Sequence, residues 1–480
     1  MQGKPYKMLL IGIAVVSLVT VSLLQRQLNR QRTELGLTRV APLENAPPVL
    51  AFTTVALGGF RGLIANVLWI RANDLQQEDR FFEQVQLSDW ITKLEPAFVQ
   101  VWLVQAWNMA YNISVKFRDP YDRWRWVQRG IELLRDEGIK YNPKEALLYR
   151  ELGWFFQHKM GQNLDDAHLV YKSEWAREMT GVLGGPRPNY DELLNPRTDE
   201  ARQRVGLLRD KLKMDPVMMK KADALYGPLE WRLPEASAIY WAMVGLEVSN
   251  KKDLITLRRV IYQSLQMSVM RGRIVLVRPD GSLSFGPDLG KVGMTNNGFE
   301  KMLAEETEKP ESVTRAHRNF LKEAVFQLYM HNRTAEAQRW MTVLKEKYPD
   351  AVAKDMSVEQ YSIEKLAGSF IERNHNKTKA IIEGLLTQYF DNLAIDNDDR
   401  AEGVLRMARQ LWKYYDSNIQ MRLEPLKLDP LEEMYARILD RLLDPATGLP
   451  PEYAARLRTK LGLPAAPAPN APLAAPVPQK

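Results

Sequence analysis

FFEQVQLSDWITKLEPAFVQVWLVQAWNMAYNIS occupies Phe81 to Ser114, and GIELLRDEGIKYNPKEALLYRELGWFFQHKMGQNLDDAHLVYKSEWAREM occupies Gly130 to Met179. In both, apolar and aromatic residues recur three and four positions apart, which is the period of one helix face. Glu95-Pro96, Asn142-Pro143 and Gly161 punctuate the run. A proline lacks the N–H that would continue a helix, so each break ends one helix and frees the chain to reverse. The pattern predicts short antiparallel helices stacked in pairs, and therefore an all-α body.

The totals agree with a folded body. Of 480 residues, 45% are hydrophobic and 26% charged, ordinary values for a globular protein. Sixty-six Lys and Arg against 59 Asp and Glu give a net charge of +7, a mild bias over this length. The densest basic runs, Arg26 to Arg39, Arg118 to Arg129, Arg202 to Lys221 and Lys251 to Arg259, are interleaved with acids or aromatics. A nucleic-acid protein concentrates its charge on one face, so no nucleic-acid partner is expected. Cysteine is absent, which removes disulfides, thiolate nucleophiles and every Cys-containing metal site. The five histidines (His158, His168, His317, His331, His375) show neither HxH nor HExxH spacing. No metal or cofactor is expected, and these histidines read as surface or helix-packing residues.

Outward toward the N-terminus, Met8 to Leu24 is a run of 17 uncharged residues. At about 1.5 Å per residue it reaches the short end of what spans about 30 Å of hydrocarbon. Leu23, Leu24 and Gln25 stand where a cleavable signal peptide would carry small residues, so residues 1–25 read as an uncleaved transmembrane anchor. Orientation is pulled two ways. Lys4 and Lys7 precede the span while Arg26, Arg30, Arg32 and Arg39 follow it, which favours a cytoplasmic body. A short basic tail before an apolar run is also an export signal, and the lack of cysteine suits an oxidising compartment. The expectation is a single-pass protein of the bacterial inner membrane with its body in the periplasm.

Residues 26–48 read as a spacer, extended by three prolines and a glycine in its second half. The block after it, 49–72, is apolar enough to invite a second span. Arg61 at its centre and Gly58, Gly59 and Gly62 argue instead for a helix from about residue 59, with Leu63, Val67 and Ile70 to one side. The glycines Gly58, Gly59 and Gly62, with Arg61, are candidate residues for packing at the membrane-proximal end.

Leu152, Gly153, Phe156, Gly161, Ala167 and Tyr171 carry a resemblance to the tetratricopeptide repeat, in which a Leu-Gly pair and an aromatic on one helix meet an Ala and an aromatic on the next. Here the turn from Gly161 to Ala167 is two residues longer than the repeat's usual turn. The resemblance recurs at Leu321, Leu328, Tyr329, Asn332, Ala337, Met341 and Pro349, and again in the Gly368 to Ala380 spacing. It implies a helical-hairpin solenoid in two blocks, 49–180 and 299–462. Between them, 181–298 reads as a loop-rich helical segment with a long surface loop at Gly181 to Arg197 and a β-hairpin near 274–285 around Pro279-Asp280-Gly281. Residues 463–480 hold many prolines and no acid, a disordered tail.

No catalytic constellation emerges. Gly286-Pro-Asp-Leu-Gly290-Lys291 is one residue short of a phosphate loop and has Val292 where a hydroxyl should follow. Ser362 and Lys365 have the spacing of a Ser-Lys acylase without its partner motifs. Asp391, Asp396, Asp398 and Asp399 lack the glycine and bidentate glutamate of a calcium loop. The aromatic wealth between Trp90 and Trp175 reads mainly as core. Arg123, Trp124, Arg125, Trp126 and Arg129, following Asp119-Pro120, form the cluster that packing explains least, and are the candidate partner-binding residues. The whole organisation resembles bacterial membrane-anchored repeat proteins. That resemblance implies a scaffold or adaptor binding protein partners in the cell envelope; the rival expectation is an enzyme or accessory subunit acting on envelope polymers.

Overall fold

A computed structural model describes residues 4–34, 61–249, 254–277, 283–306, 310–367, 375–419 and 427–464. Helices dominate, and a two-stranded antiparallel hairpin is the one sheet among the described residues. Two compact units take the chain in separate pieces. One comprises Met1–Glu174, Thr180–Lys220 and Ser237–Leu257, the other Trp175–Met179, Lys221–Ala236 and Arg258–Lys480.

In the first unit, α1 runs from Lys4–Glu34 as one helix of 31 residues. Ile13, Val16, Val19, Val21, Leu23 and Leu24 are each more than half exposed. Among the described residues no helix is long and apolar enough to cross a membrane. The side chains of Met8 to Ile11, Ala14, Val15 and Leu18, all in the expected span, lie outside the described residues. Next come α2 (Arg61–Gln77) and α3 (Phe81–Leu94), reversed through Asp79 at φ 59°. Ala65, Ala72 and Ile91 form their shared core with Val101 from the following helix. The stripe Leu63, Val67 and Ile70 does lie to one side of α2, but on its exposed side.

Helix α4 (Val99–Trp107) passes into a π-helical turn, Asn108–Ile113. After a reversal, Pro120 opens α5 (Pro120–Glu132) at the first helical position, and the Asp119 carboxylate accepts the Tyr121 N–H at 2.7 Å. Helix α5 also passes into a π turn, Leu133–Gly138. The π end of α4 meets α5 while the start of α4 meets the π turn after α5, so the two are antiparallel. Gly130 makes that approach possible: a Cβ there would stand 2.8 Å from the Ala106 carbonyl oxygen. Then α6 (Ala146–Trp154) ends in a third π turn, Phe155–Gly161, ahead of α7 (His168–Leu183). Leu152, Gly153, Phe156, Gly161, Ala167 and Tyr171 are all buried.

The surface loop expected over Gly181 to Arg197 is shorter than the composition suggests. Helix α7 continues through Gly181 and stops at Gly184, φ 73°, and Asn189 caps a further turn, α8 (Tyr190–Leu194). Helix α9 (Asp199–Gly206), α10 (Pro216–Tyr226), α11 (Pro234–Val248) and α12 (Ile255–Arg271) follow. Between α9 and α10 the basic run Arg202 to Lys221 is broken before Pro216 by Lys213 at φ 54°.

Within the second unit, β1 (Arg273–Val277) pairs with β2 (Leu283–Gly286), Ile274 opposite Phe285, with a bulge between Ile274 and Leu276. The Pro279-Asp280-Gly281 turn lies outside the described residues. Helix α13 (Val292–Glu305) precedes the tight pair α14 (Pro310–Met330) and α15 (Thr334–Lys347), reversed through Asn332 at φ 59°. Leu321, Leu328, Ala337 and Met341 are fully buried between them and their neighbours. His317 is buried too, with Nδ1 2.9 Å from the Tyr348 hydroxyl and Nε2 2.9 Å from Asn296 Oδ1. Burial pushes its pKa down to about 4, so it is a neutral packing residue. Helices α16 (Val358–Ala367), α17 (His375–Ala394), α18 (Asp398–Ile419), α19 (Leu431–Leu443) and α20 (Pro451–Lys460) complete the unit. Gly368 lies outside the described residues, and Ala380, expected at a crossing with it, is exposed. The buried stripe of α17 runs instead through Thr378, Ile382 and Leu386. The close crossing here belongs to Gly403 of α18, set against the backbone of Met330 and Asn332.

Candidate partner-binding groove

The cluster from Arg123 to Arg129 is divided by the turn of α5. Arg123 and Trp124 face inward. The Arg123 side chain is 15% exposed and bonds Asp165 Oδ1 at 3.2 Å, Asp166 Oδ1 at 2.5 Å and, through Nε, the Phe117 carbonyl at 2.7 Å. Trp124 is 8% exposed, its ring 6.0 Å from that of Tyr171. Both are structural. Arg125 points to solvent and pairs with Asp122 one turn back at 2.8 Å. Trp126 and Arg129 lie together on a third side, and they line a groove of about 630 Å³.

One wall of that groove is α3, through Phe82, Val85, Gln86 and Asp89. The other is α5 and its π turn, through Trp126, Arg129, Glu132, Leu133, Asp136 and Glu137; the floor is Gln105 and Met109 from α4 and its π turn. Two of the three π turns of this region thus contribute lining residues. An inserted residue in a helix shifts the side chains after it by about 100° and is common at functional sites, and heptad counting cannot see it.

The groove is polar along its length. At one end Phe82 meets Trp126 edge-on, centroids 5.6 Å apart at 72°, with Phe117 stacked behind at 6.2 Å and the Arg129 guanidinium 5.9 Å over the indole. At the other end, further along both helices, are the carboxylates. Asp89 holds Lys93 at 2.7 Å, and Asp136 holds Arg135 at 2.6 Å. Glu137 has no hydrogen bond or ion pair among the described residues. Desolvation, then the nearby charge of Asp89, raises its pKa above the usual carboxylate value, against Lys93 and Lys140. In the floor, Gln105 is 3% exposed and donates from Nε2 to the Val85 carbonyl at 3.4 Å. Its Oε1 is buried and accepts nothing among the described residues.

A buried ion network lies behind the inward face of α5. Asp165 Oδ2 accepts from Lys159 Nζ at 2.7 Å and from the Tyr171 hydroxyl at 2.9 Å, while Oδ1 takes the Ala167 N–H at 2.9 Å. It fixes the long turn between α6 and α7.

Gly58 and Gly59 lie outside the described residues, as does the side chain of Arg61, which opens α2. A Cβ on Gly62 would find Glu95 Oε1 at 3.9 Å, an ordinary contact. Lys291 is buried and bonds Asp288 and the Pro228 carbonyl. Ser362 is buried, and Lys365 pairs with Glu323 at 2.5 Å. Asp396 and Asp398 hold Lys460 at 3.0 and 2.7 Å. Among the described residues no three His, Cys, Asp or Glu side chains group so as to hold a metal ion.

Compared with protein-family models, with curated proteins and with solved structures, the chain finds no match.

Proposed function

We propose that the protein is a membrane-anchored helical-repeat scaffold or adaptor of the bacterial cell envelope, holding a protein partner in the groove between α3 and α5. The observation that carries this reading is the groove itself: a lined cleft of about 630 Å³ with an aromatic end, a carboxylate end and a buried acceptor, Gln105 Oε1, that meets no donor. Two further features support it. The six residues from Leu152 to Tyr171 that carry the tetratricopeptide resemblance are buried, as are Leu321, Leu328, Ala337 and Met341 of the α14–α15 pair, which suits residues at helix crossings. The uncovered apolar residues of α1 from Ile13 to Leu24 suit burial in lipid.

The rival is an enzyme or accessory subunit acting on an envelope polymer. Glu137 near Asp89 favours it, since a carboxyl group whose pKa is raised by desolvation and by a neighbouring carboxylate can serve as a general acid. Against it, sugar rings need an open indole face, and the Trp126 ring is already occupied by Phe82, Phe117 and Arg129.

A photo-crosslinking residue at Gln86, on the groove rim, tests the proposal in native membranes. The expected result is a discrete protein adduct from Gln86 and none from Arg125, which lies exposed outside the groove. Adducts from neither position, with the detergent-extracted protein migrating alone, would overturn it.

A further inference from the structure

The groove lacks two donors, and they differ in kind. Glu137 is a carboxylate at the rim with no counter-ion bonded to it among the described residues. Gln105 Oε1 is a neutral acceptor sealed in the floor. A buried acceptor without a donor is disfavoured, so an occupant is favoured toward which the Gln105 amide can turn to gain one. The aromatic end is the opposite case, with Phe82, Met109 and Trp126 presenting apolar surface and no acceptor. Phe82 and Asp89 are separated along α3, as are Trp126 and Glu137 along α5 and its π turn. At about 1.5 Å per residue these separations are about 10 and 16 Å.

Resting on the scaffold reading above, we infer that the groove takes a basic amphipathic segment of a partner protein, with one large apolar side chain packed on the exposed Phe82 ring, beside Trp126, and a lysine or arginine about 10–16 Å further along, at Glu137. A helix presents that pair about seven to eleven residues apart, and an extended strand about three to five apart. Charge selects the cation. Of the charged groups lining the groove, Asp89, Glu132, Asp136 and Glu137 are acidic and Arg129 alone is basic. Arg129 is engaged over the Trp126 ring, at the far end from Glu137. An acidic segment would set its charge against the carboxylate end and leave Glu137 unpaired. A lipid surface fits less well, because a cleft with a buried acceptor in its floor has no use for acyl chains.

The test is selection of short random peptides on the full-length protein in detergent, followed by affinity measurement on the wild type and on Glu137→Lys. The enriched peptides are expected to share an aromatic or large aliphatic residue and a Lys or Arg at fixed spacing. They should weaken by about tenfold or more on Glu137→Lys, and the same peptides with Lys changed to Glu should bind that variant better than the wild type. Glu137 lies at the rim with no bonded partner to lose, so this variant is expected to fold. Acidic or charge-indifferent peptides, peptides whose affinity Glu137→Lys leaves unchanged, or binding to phosphatidylcholine vesicles in place of any peptide would each overturn the inference. The crosslink from Gln86 separates the two claims. An adduct that persists unchanged in Glu137→Lys leaves the scaffold standing and removes the basic segment.

Discussion

Asp165 shows how one side chain can hold a departure from a repeat pattern. The turn from Gly161 to Ala167 is longer than the tetratricopeptide spacing allows, and the surplus residues are gathered by a carboxylate that takes Lys159, Arg123, the Tyr171 hydroxyl and the Ala167 N–H. The pKa directions of the pair pull apart: burial lowers that of Lys159, whereas Asp165, despite the opposing push of its own burial, is held down to about 2. Geometry decides for the ionised pair, since Asp165 has four donors and would forfeit them by protonating. Its pKa in the unfolded chain is about 4, so this stabilisation is present above that value and is lost as pH falls toward 2. Asp165→Asn should destabilise the first unit by about 3–5 kcal/mol, because it leaves the Lys159 ammonium, 5% exposed, without its counter-ion. Thermal melts of wild type and variant near neutral pH check it, and equal midpoints would remove the network's role. Arg123 was legible in the sequence as part of an unusual cluster. That it bonds Asp165 and Asp166 was not legible, because both are about 42 residues away in sequence.

At the scale of elements, the helical pairs were legible and their crossings only partly so. Prolines at 96 and 143 and the aromatic period mark α3 to α6 correctly, because helix ends and amphipathic faces are local properties. Which small residue lies at a crossing depends on a helix that arrives from elsewhere. Ala380 fitted the repeat spacing and is exposed, while Gly130 and Gly403, outside the pattern, are the tight contacts. A Cβ at position 130 would meet the Ala106 carbonyl oxygen at 2.8 Å and Ala110 Cβ at 3.2 Å, atoms that cannot swing away. Replacing a helical glycine by alanine gains about 1 kcal/mol of helix propensity, and overpacking costs about 1–3 kcal/mol. Gly130→Ala should therefore be net destabilising by up to about 2 kcal/mol. Gly384→Ala, inside α17 with nothing within 4 Å of the new methyl, should stabilise by up to about 1 kcal/mol. Denaturant titrations of both variants check the pair; the same sign for both would show that propensity, not the crossing, governs Gly130.

At the scale of the whole molecule, a unit assembled from residues 1–174, 180–220 and 237–257 is set by long-range packing that local composition does not encode. The N-terminal helix is different, since its reading is a matter of local hydropathy. Residues Met8 to Leu24 carry no charge, the helix through them is continuous from Lys4–Glu34, and its described apolar side chains are left open to solvent. Apolar side chains open to solvent are better accommodated in lipid than in water, so the proposed anchor has a direct consequence. A charged residue at the centre of a spanning helix is disfavoured by about 2.5–3.5 kcal/mol on insertion scales. Val16→Asp together with Val19→Lys should therefore move the protein from the membrane pellet to the supernatant after an alkaline carbonate wash. A wild type that washes off would remove the anchor. A reporter active only outside the cytoplasm, fused after Lys480, is expected to be active with the wild type and silent with the double variant. With Arg26, Arg30 and Arg32 following the run, positive charge favours the opposite orientation, so silence in a membrane-bound wild type would assign the body, and the partner it holds, to the cytoplasm.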